Sequence, residues 1–234
     1  MSSQRLIGML LFPRLTQLDL TGPYEVLARL PNTTVHLVAQ GLDPVKTDRG
    51  LMIVPTVTYA DCPPLDVVMV PGGPGQQDLM EDAVVLDFLR RQAGQAKYVT
   101  SVCTGSLVLG AAGLLEGKRA TCHWAAIEHL ASLGAVPVHE RVVVDGNIVT
   151  CAGVASGIDF ALTLAAILDS ERVAREIQLQ IEYDPAPPFR SGSPRTASPE
   201  TIEALRCRLA DLNEARRVVA DRVGRQLGVS SRTI

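Results

Sequence analysis

Cys103 stands at the junction of Tyr98-Val99-Thr100-Ser101-Val102-Cys103-Thr104-Gly105-Ser106-Leu107-Val108-Leu109, where an apolar β run passes through a cysteine into Thr-Gly-Ser and then a helical pattern. This order of residue types predicts a nucleophile elbow, a sharp strand-to-helix turn that lifts one side chain out of the core. Free N–H groups and the positive end of the following helix would favour thiolate over thiol there, with no histidine required. Cysteine is also a small hydrophobe that cores bury readily, so packing is the competing reading of the same position. Cys62, Cys122, Cys151 and Cys207 lack a comparable setting and read as structural.

Two further stretches bear chemistry. Val70-Pro71-Gly72-Gly73-Pro74-Gly75 follows a strand-like run, and glycines at such a strand end either make an ordinary tight turn or present N–H groups to developing negative charge as an oxyanion hole. No Gly-Lys-Ser/Thr follows, so the segment is not a phosphate loop, and the next helix start is expected only at Asp82. In Gln17-Leu18-Asp19-Leu20-Thr21-Gly22-Pro23 a carboxylate lies between leucines ahead of a helix. It either caps that helix or has a perturbed pKa and a task in proton transfer. His123, before Trp124 and an expected helix over 125–133, reads as a local supporting residue, and nothing marks His36, His129 or His139.

The elements that must position these residues are an alternation of short Val/Ile/Leu runs with longer amphipathic segments, which predicts an α/β fold with a doubly wound, mostly parallel sheet between helices. Strands are expected at 5–12, 34–39, 67–70 and 97–102. Helices are expected from Asp82 to Gly94 and to Leu30 with Pro23 in the first turn. Val142-Val143-Val144-Asp145-Gly146-Asn147-Ile148-Val149 predicts an antiparallel edge hairpin. A long apolar helix is expected from Ser156 through Leu168, then a polar one from Ser170 to about Tyr183. Residues 1–183 are thus expected to form the α/β domain and 184–199, with Pro185, Pro187, Pro188, Pro194 and Pro199, an extended arm. Residues 200–234 are expected to form a helix, to about Leu227, and a tail.

A net charge of −3 gives no field that would draw nucleic acid or an anionic membrane. The arginines after Thr201 are interleaved with acids at helical spacing, as on a solvated helix face. The apolar run after Arg5 is short and cut by Pro13, so a buried strand is expected rather than a signal peptide, and no run is long enough to span a membrane. Five scattered cysteines without CxxC spacing indicate neither disulfides nor a zinc site, and fit a reducing cytoplasm.

On Pro71-Gly72-Gly73, Val102-Cys103-Thr104-Gly105 and Ala152-Gly153-Val154-Ala155-Ser156-Gly157-Ile158-Asp159, the chain resembles the PfpI-type superfamily, a branch of the class I glutamine amidotransferase-like fold, over about residues 5–183. Its Asp19-Leu20-Thr21-Gly22-Pro23 entry, Cys-Thr-Gly elbow and Ala120-Thr121-Cys122-His123-Trp124 are similar to members that hydrate isonitriles, and to the sensor domains of certain AraC-type regulators. Proteolytic members typically carry a histidine where this chain has Thr104, and deglycase members usually a glutamate where it has Asp19. The regulators add two helix-turn-helix units, whereas the segment after Pro199 has room for one long helix.

What the resemblance implies is hydration of a small isonitrile to an N-substituted formamide, with no metal or organic cofactor. Cys103 would attack, Asp19 would move the protons, Thr104 would position substrate or water, and Gly72 and Gly73 would stabilise charge. It further implies a homodimer embraced by the arm and trailing helix. A glyoxal-directed enzyme and a redox or ligand sensor of the same fold are the alternatives.

Overall fold

Val67–Val70 is buried on every residue and Tyr98–Val102 on all but its first. Strands without a polar face fit only a parallel sheet covered on both sides. The computed structural model describes residues 4–229 and has this architecture. In chain order the elements are β1 (Arg5–Leu10), α1 (Gln17–Leu27), β2 (Thr33–Ala39), β3 (Val45–Lys46), β4 (Met52–Ile53), β5 (Val57–Thr58), β6 (Val67–Val70), α2 (Gln76–Leu79), α3 (Ala83–Ala93) and β7 (Tyr98–Val102). They continue with α4 (Gly105–Ala111), β8 (Arg119–Ala120), α5 (His129–Ser132), β9 (Val136–Pro137), β10 (Val142–Asp145), β11 (Ile148–Cys151), α6 (Ser156–Leu168), α7 (Glu171–Gln180) and α8 (Pro199–Gln226).

The main sheet runs β10-β11-β7-β6-β1-β2-β5, and every pairing in it is parallel except β10 with β11. The chain leaves β1 toward β2 on one side and returns as β6 on the other. The carboxyl ends of β1 and β6 therefore flank a topological switch point, where α/β sheets open a crevice. Right-handed crossovers in opposite directions place α1 and α3 on opposite faces. α1, α6 and α7 pack together, while α8 packs on α2, α4 and α5.

The expected edge hairpin forms with the register Asp145↔Ile148, and Asp82 caps α3 by accepting from Val84 and Val85. Three expectations need correction. α1 starts at Gln17, because the Asp19 N–H closes its first turn on Thr16 O at 3.0 Å, so Pro23 lies inside the helix rather than in its first turn. A single turn, α2, forms directly after the glycines instead of waiting for Asp82. Residues 124–128 form turns joined by i→i+3 bonds such as Ala126 N–H to His123 O, leaving only His129–Ser132 as helix.

No helix or strand forms over residues 184–198; α8 then starts at Pro199, capped by the Ser198 hydroxyl. Its first half is largely exposed, and its second half buries Arg216, Val219, Ala220 and Val223. No helix among the described residues is long and apolar enough to cross a membrane.

Candidate active site

The loop after β7 bends as the apolar-to-helical junction requires. Cys103 takes φ 57°, a left-handed conformation that costs a non-glycine residue about 1–3 kcal/mol and persists only when its surroundings enforce it. Those surroundings are visible. The Cys103 N–H donates to Ala152 O at 2.9 Å, tying the elbow to the turn after β11. Ser106 donates to Thr121 O at 2.6 Å, fixing the first turn of α4. A Cβ on Gly105 would lie 2.0 Å from Val70 O, so α4 starts in contact with the end of β6 and no larger residue fits there.

The glycine turn after β6 meets both other candidates. The Gly72 N–H donates to Asp19 Oδ2 at 3.0 Å, and the Gly73 N–H donates to Thr104 Oγ1 at 3.1 Å. A Cβ on Gly72 would sit 2.6 Å from Thr104 N and 2.8 Å from Asp19 Oδ2. Asp19, Thr104, Gly72 and Gly73 thus converge within a methyl group's width, beside Cys103. Both glycine N–H groups, expected as oxyanion donors, donate here to the carboxyl and the hydroxyl and hold them in place.

Asp19 does not cap its helix; it is wholly buried in the first turn of α1, pointing at the glycines. Oδ1 has no hydrogen-bond partner of proper geometry, although the Cys103 thiol lies close enough to influence the carboxyl as a donor. Burial pushes its pKa up to about 7, with the Asp48 charge adding to the rise and Cys103 and Gly72 opposing it. Cys103 is 5% exposed, and burial together with Asp19 pushes its thiol upward, against the pull of the Thr104 N–H. The N–H at the start of α4 thus lowers the thiol in the expected direction, and burial outweighs it. Two such groups side by side titrate as one unit, with midpoints that belong to the pair rather than to either residue.

His123 is no base for Cys103. Burial, with the charge of Arg216, pulls its pKa down to about 4, its Nδ1 accepts from Ala125 N–H at 3.3 Å, and its ring lies against Gly153. Among the described residues no cluster of His, Cys, Asp and Glu could hold a metal ion. Sequence reasoning missed Arg216, which α8 brings into the interior near Cys103, and Cys122, a second buried thiol close enough to act on Cys103 electrostatically. The signal for Arg216 was its place in the stripe with Val219, Ala220 and Val223, one turn apart on the helix face that packs inward.

A sharp elbow bearing a thiol beside a protonatable carboxyl, at the switch point of a doubly wound sheet, defines a cysteine-dependent site of acid–base character. Residues 5–167 match the DJ-1/PfpI family, and the chain belongs to that family. It is 57% identical over 223 residues to the isonitrile hydratase of Pseudomonas putida, covering 95% of this chain and 98% of that protein. It is 30% identical over 129 residues to the glutathione-independent glyoxalase DJR-1.2 of Caenorhabditis elegans, covering 54% and 69% of the two chains. The crystal structure of a ThiJ/PfpI family protein from Pseudomonas syringae superposes with a TM-score of 0.91 at 43% identity, covering 93% of this chain and 91% of the other.

Proposed function

We propose that this chain is an isonitrile hydratase, a hydro-lyase that converts a small isonitrile and water into an N-substituted formamide with Cys103 as nucleophile. The observation that carries the reading is the neutralisable Asp19 carboxyl, with Oδ1 unpartnered, beside the thiol of an enforced elbow. The near full-length likeness to the Pseudomonas putida enzyme supplies the substrate class. The terminal isonitrile carbon is electrophilic toward sulfur and needs a proton as the C–S bond forms. The one proton held between Cys103 and Asp19 ends on that carbon, giving a thioimidate, S–CH=N–R.

Asp19, now a carboxylate, takes a proton from the attacking water, whose oxygen bonds to the same carbon. Nitrogen is protonated, the C–S bond breaks, and the thiolate regains its shared proton as R–NH–CHO leaves. Thr104, held by the Gly73 N–H, turns its own N–H toward the sulfur and positions substrate or water with its hydroxyl. Gly72 and Gly73 act by holding Asp19 and Thr104. No cofactor enters this scheme.

We read 1–183 as the domain that carries Cys103, Asp19 and Thr104, 184–199 as an arm, and 200–234 as a helix, which supplies Arg216, and a tail that lies outside the described residues after Val229. The chain works as a cytoplasmic homodimer without nucleic acid or membrane partners. Exposed Leu179 at the end of α7 and exposed Phe189 in the arm support the pairing, and five free cysteines support a reducing compartment. Light scattering behind size exclusion tests the dimer. Incubation with cyclohexyl isonitrile and mass-spectrometric detection of the formamide tests the activity. Cys103→Ala is expected to abolish product; formation of lactate from methylglyoxal in its place would assign the site to glyoxal chemistry.

A further inference from the structure

The buried stripe of α8 contains one residue that does not belong in a core. Arg216 is 5% exposed between α8 and the α2–α4 surface. Its Nε donates to Gln76 Oε1 at 2.9 Å and a terminal nitrogen donates to Asn213 Oδ1 at 3.2 Å. Both acceptors are neutral amides. Its neighbours on the helix are conventionally paired, Arg217 with Glu214 and Asp221, and Arg222 with Glu81, but no ion pair reaches Arg216 among the described residues. A buried cation left without a counter-charge is strongly destabilising, so its persistence points to a negative charge elsewhere in the same interior.

Gln76 shows where. It is fully buried, three residues beyond Gly73, and its N–H donates to Gly73 O at 3.2 Å. One short turn thus holds Asp19 through Gly72, Thr104 through Gly73 and Arg216 through Gln76. The groups that face Arg216 are Cys103, Cys122, His123 and His129, and those that face the Cys103–Asp19 pair from its other sides are Asp48, Cys122 and Cys151. Burial pushes Cys122 and Cys151 up to about 12, and both histidines are shifted down, so the cysteines and histidines carry no charge near neutrality.

We propose that Arg216 is the counter-ion of Cys103, a positioning residue that steadies negative charge on the sulfur and so sets the thiolate fraction of Cys103. The proposal rests on Cys103 being the nucleophile and not on the identity of the substrate. Its test is the pH dependence of iodoacetamide alkylation at Cys103 in the full chain, located by mass spectrometry so that Cys62 and Cys207 do not contribute. An opposite charge nearby moves a pKa by about 1–3 units, and at the lower end Arg216→Gln should raise the alkylation midpoint by about one unit and slow the reaction at pH 7 about tenfold. Arg216→Lys should retain most of the wild-type profile. Gln76→Glu leaves the guanidinium in place but pairs it with a carboxylate, and should shift the midpoint in the same direction as Arg216→Gln.

A wild-type profile in Arg216→Gln would overturn the proposal, as would equal shifts in the Gln and Lys variants, which would mean a packing role. If circular dichroism shows that Arg216→Gln does not fold, Gln76→Glu and Arg216→Lys decide alone, and an unshifted Gln76→Glu is then the refuting result. A Cys103 that no pH makes reactive would remove the nucleophile and this proposal together. Shifted profiles in a protein that yields no formamide would support the counter-ion and remove only the isonitrile.

Discussion

Replacing Asp19 by Asn should make the protein less active and, above neutral pH, more stable. The carboxyl ionises at 3.8 in an unfolded chain and at about 7 in the folded one, chiefly because burial disfavours its charge. Between those values the folded state keeps a proton that the unfolded state releases, so folding is increasingly opposed as pH rises. The contribution of the neutral carboxyl is complete below pH 3.8 and gone above about pH 7. Over the shift from 3.8 to about 7, at about 1.4 kcal/mol per unit, the loss amounts to roughly 4 kcal/mol. Of this, about 3 kcal/mol falls between pH 5 and pH 8. Asn keeps an oxygen for the Gly72 N–H and never ionises. Urea unfolding at intervals from pH 5 to pH 8 should therefore show the variant gaining about 3 kcal/mol on the wild type, while formamide production falls at least a hundredfold. Because burial causes the rise and Cys103 opposes it, the gain should be at least as large when both proteins also carry Cys103→Ala. A difference between wild type and variant that stays flat across this pH range would refute a buried, neutralised Asp19.

Two backbone positions give independent tests. Cys103→Gly removes the nucleophile but also the cost of a side chain at φ 57°, and chemical denaturation should show a gain of about 1 kcal/mol over Cys103→Ala, despite the larger entropy of the unfolded chain. Equal midpoints for the two variants would mean that the elbow is not strained. Gly105→Ala places a methyl 2.0 Å from Val70 O, which can be relieved only by moving α4 off β6; thermal melting should show a loss of about 1–3 kcal/mol, with formamide turnover down by more than tenfold.

The parallel sheet, its hairpin edge and the elbow were legible because each leaves a local mark. Fully apolar runs such as Val67–Val70 fit only strands buried on both faces, Asp145-Gly146 is a turn in any context, and a β run that ends in Cys-Thr-Gly before a helical pattern has few other structures open to it. The candidate residues Cys103, Asp19, Thr104, Gly72 and Gly73 were named from such marks and stand together in the structure. Their relations were not legible. That the Gly72 and Gly73 N–H groups are spent on Asp19 and Thr104 depends on how the loops after β1, β6 and β7 stack across the switch point, and spacing along the chain does not record it. The start of α1 at Gln17 was hidden by Pro23, since proline marks helix starts far more often than interiors.

Arg216 was hidden for a different reason, and the reason bears on how the site works. Interleaved charges on a helix normally lie in solvent, and most of those on α8 do; only the packing of the second half of α8 on α2, α4 and α5 turns one of them inward. The nucleophile, the carboxyl and the glycine turn come from the loops after β6 and β7 and from the first turn of α1, so these elements can place the reacting groups without α8. They cannot balance those groups: a buried thiol beside a buried carboxyl would hold both protons, with burial opposing either ionisation. A positive charge that opposes this and favours ionisation of the thiol arrives on the last helix of the described chain, which ties reactivity at Cys103, as well as stability, to correct docking of α8.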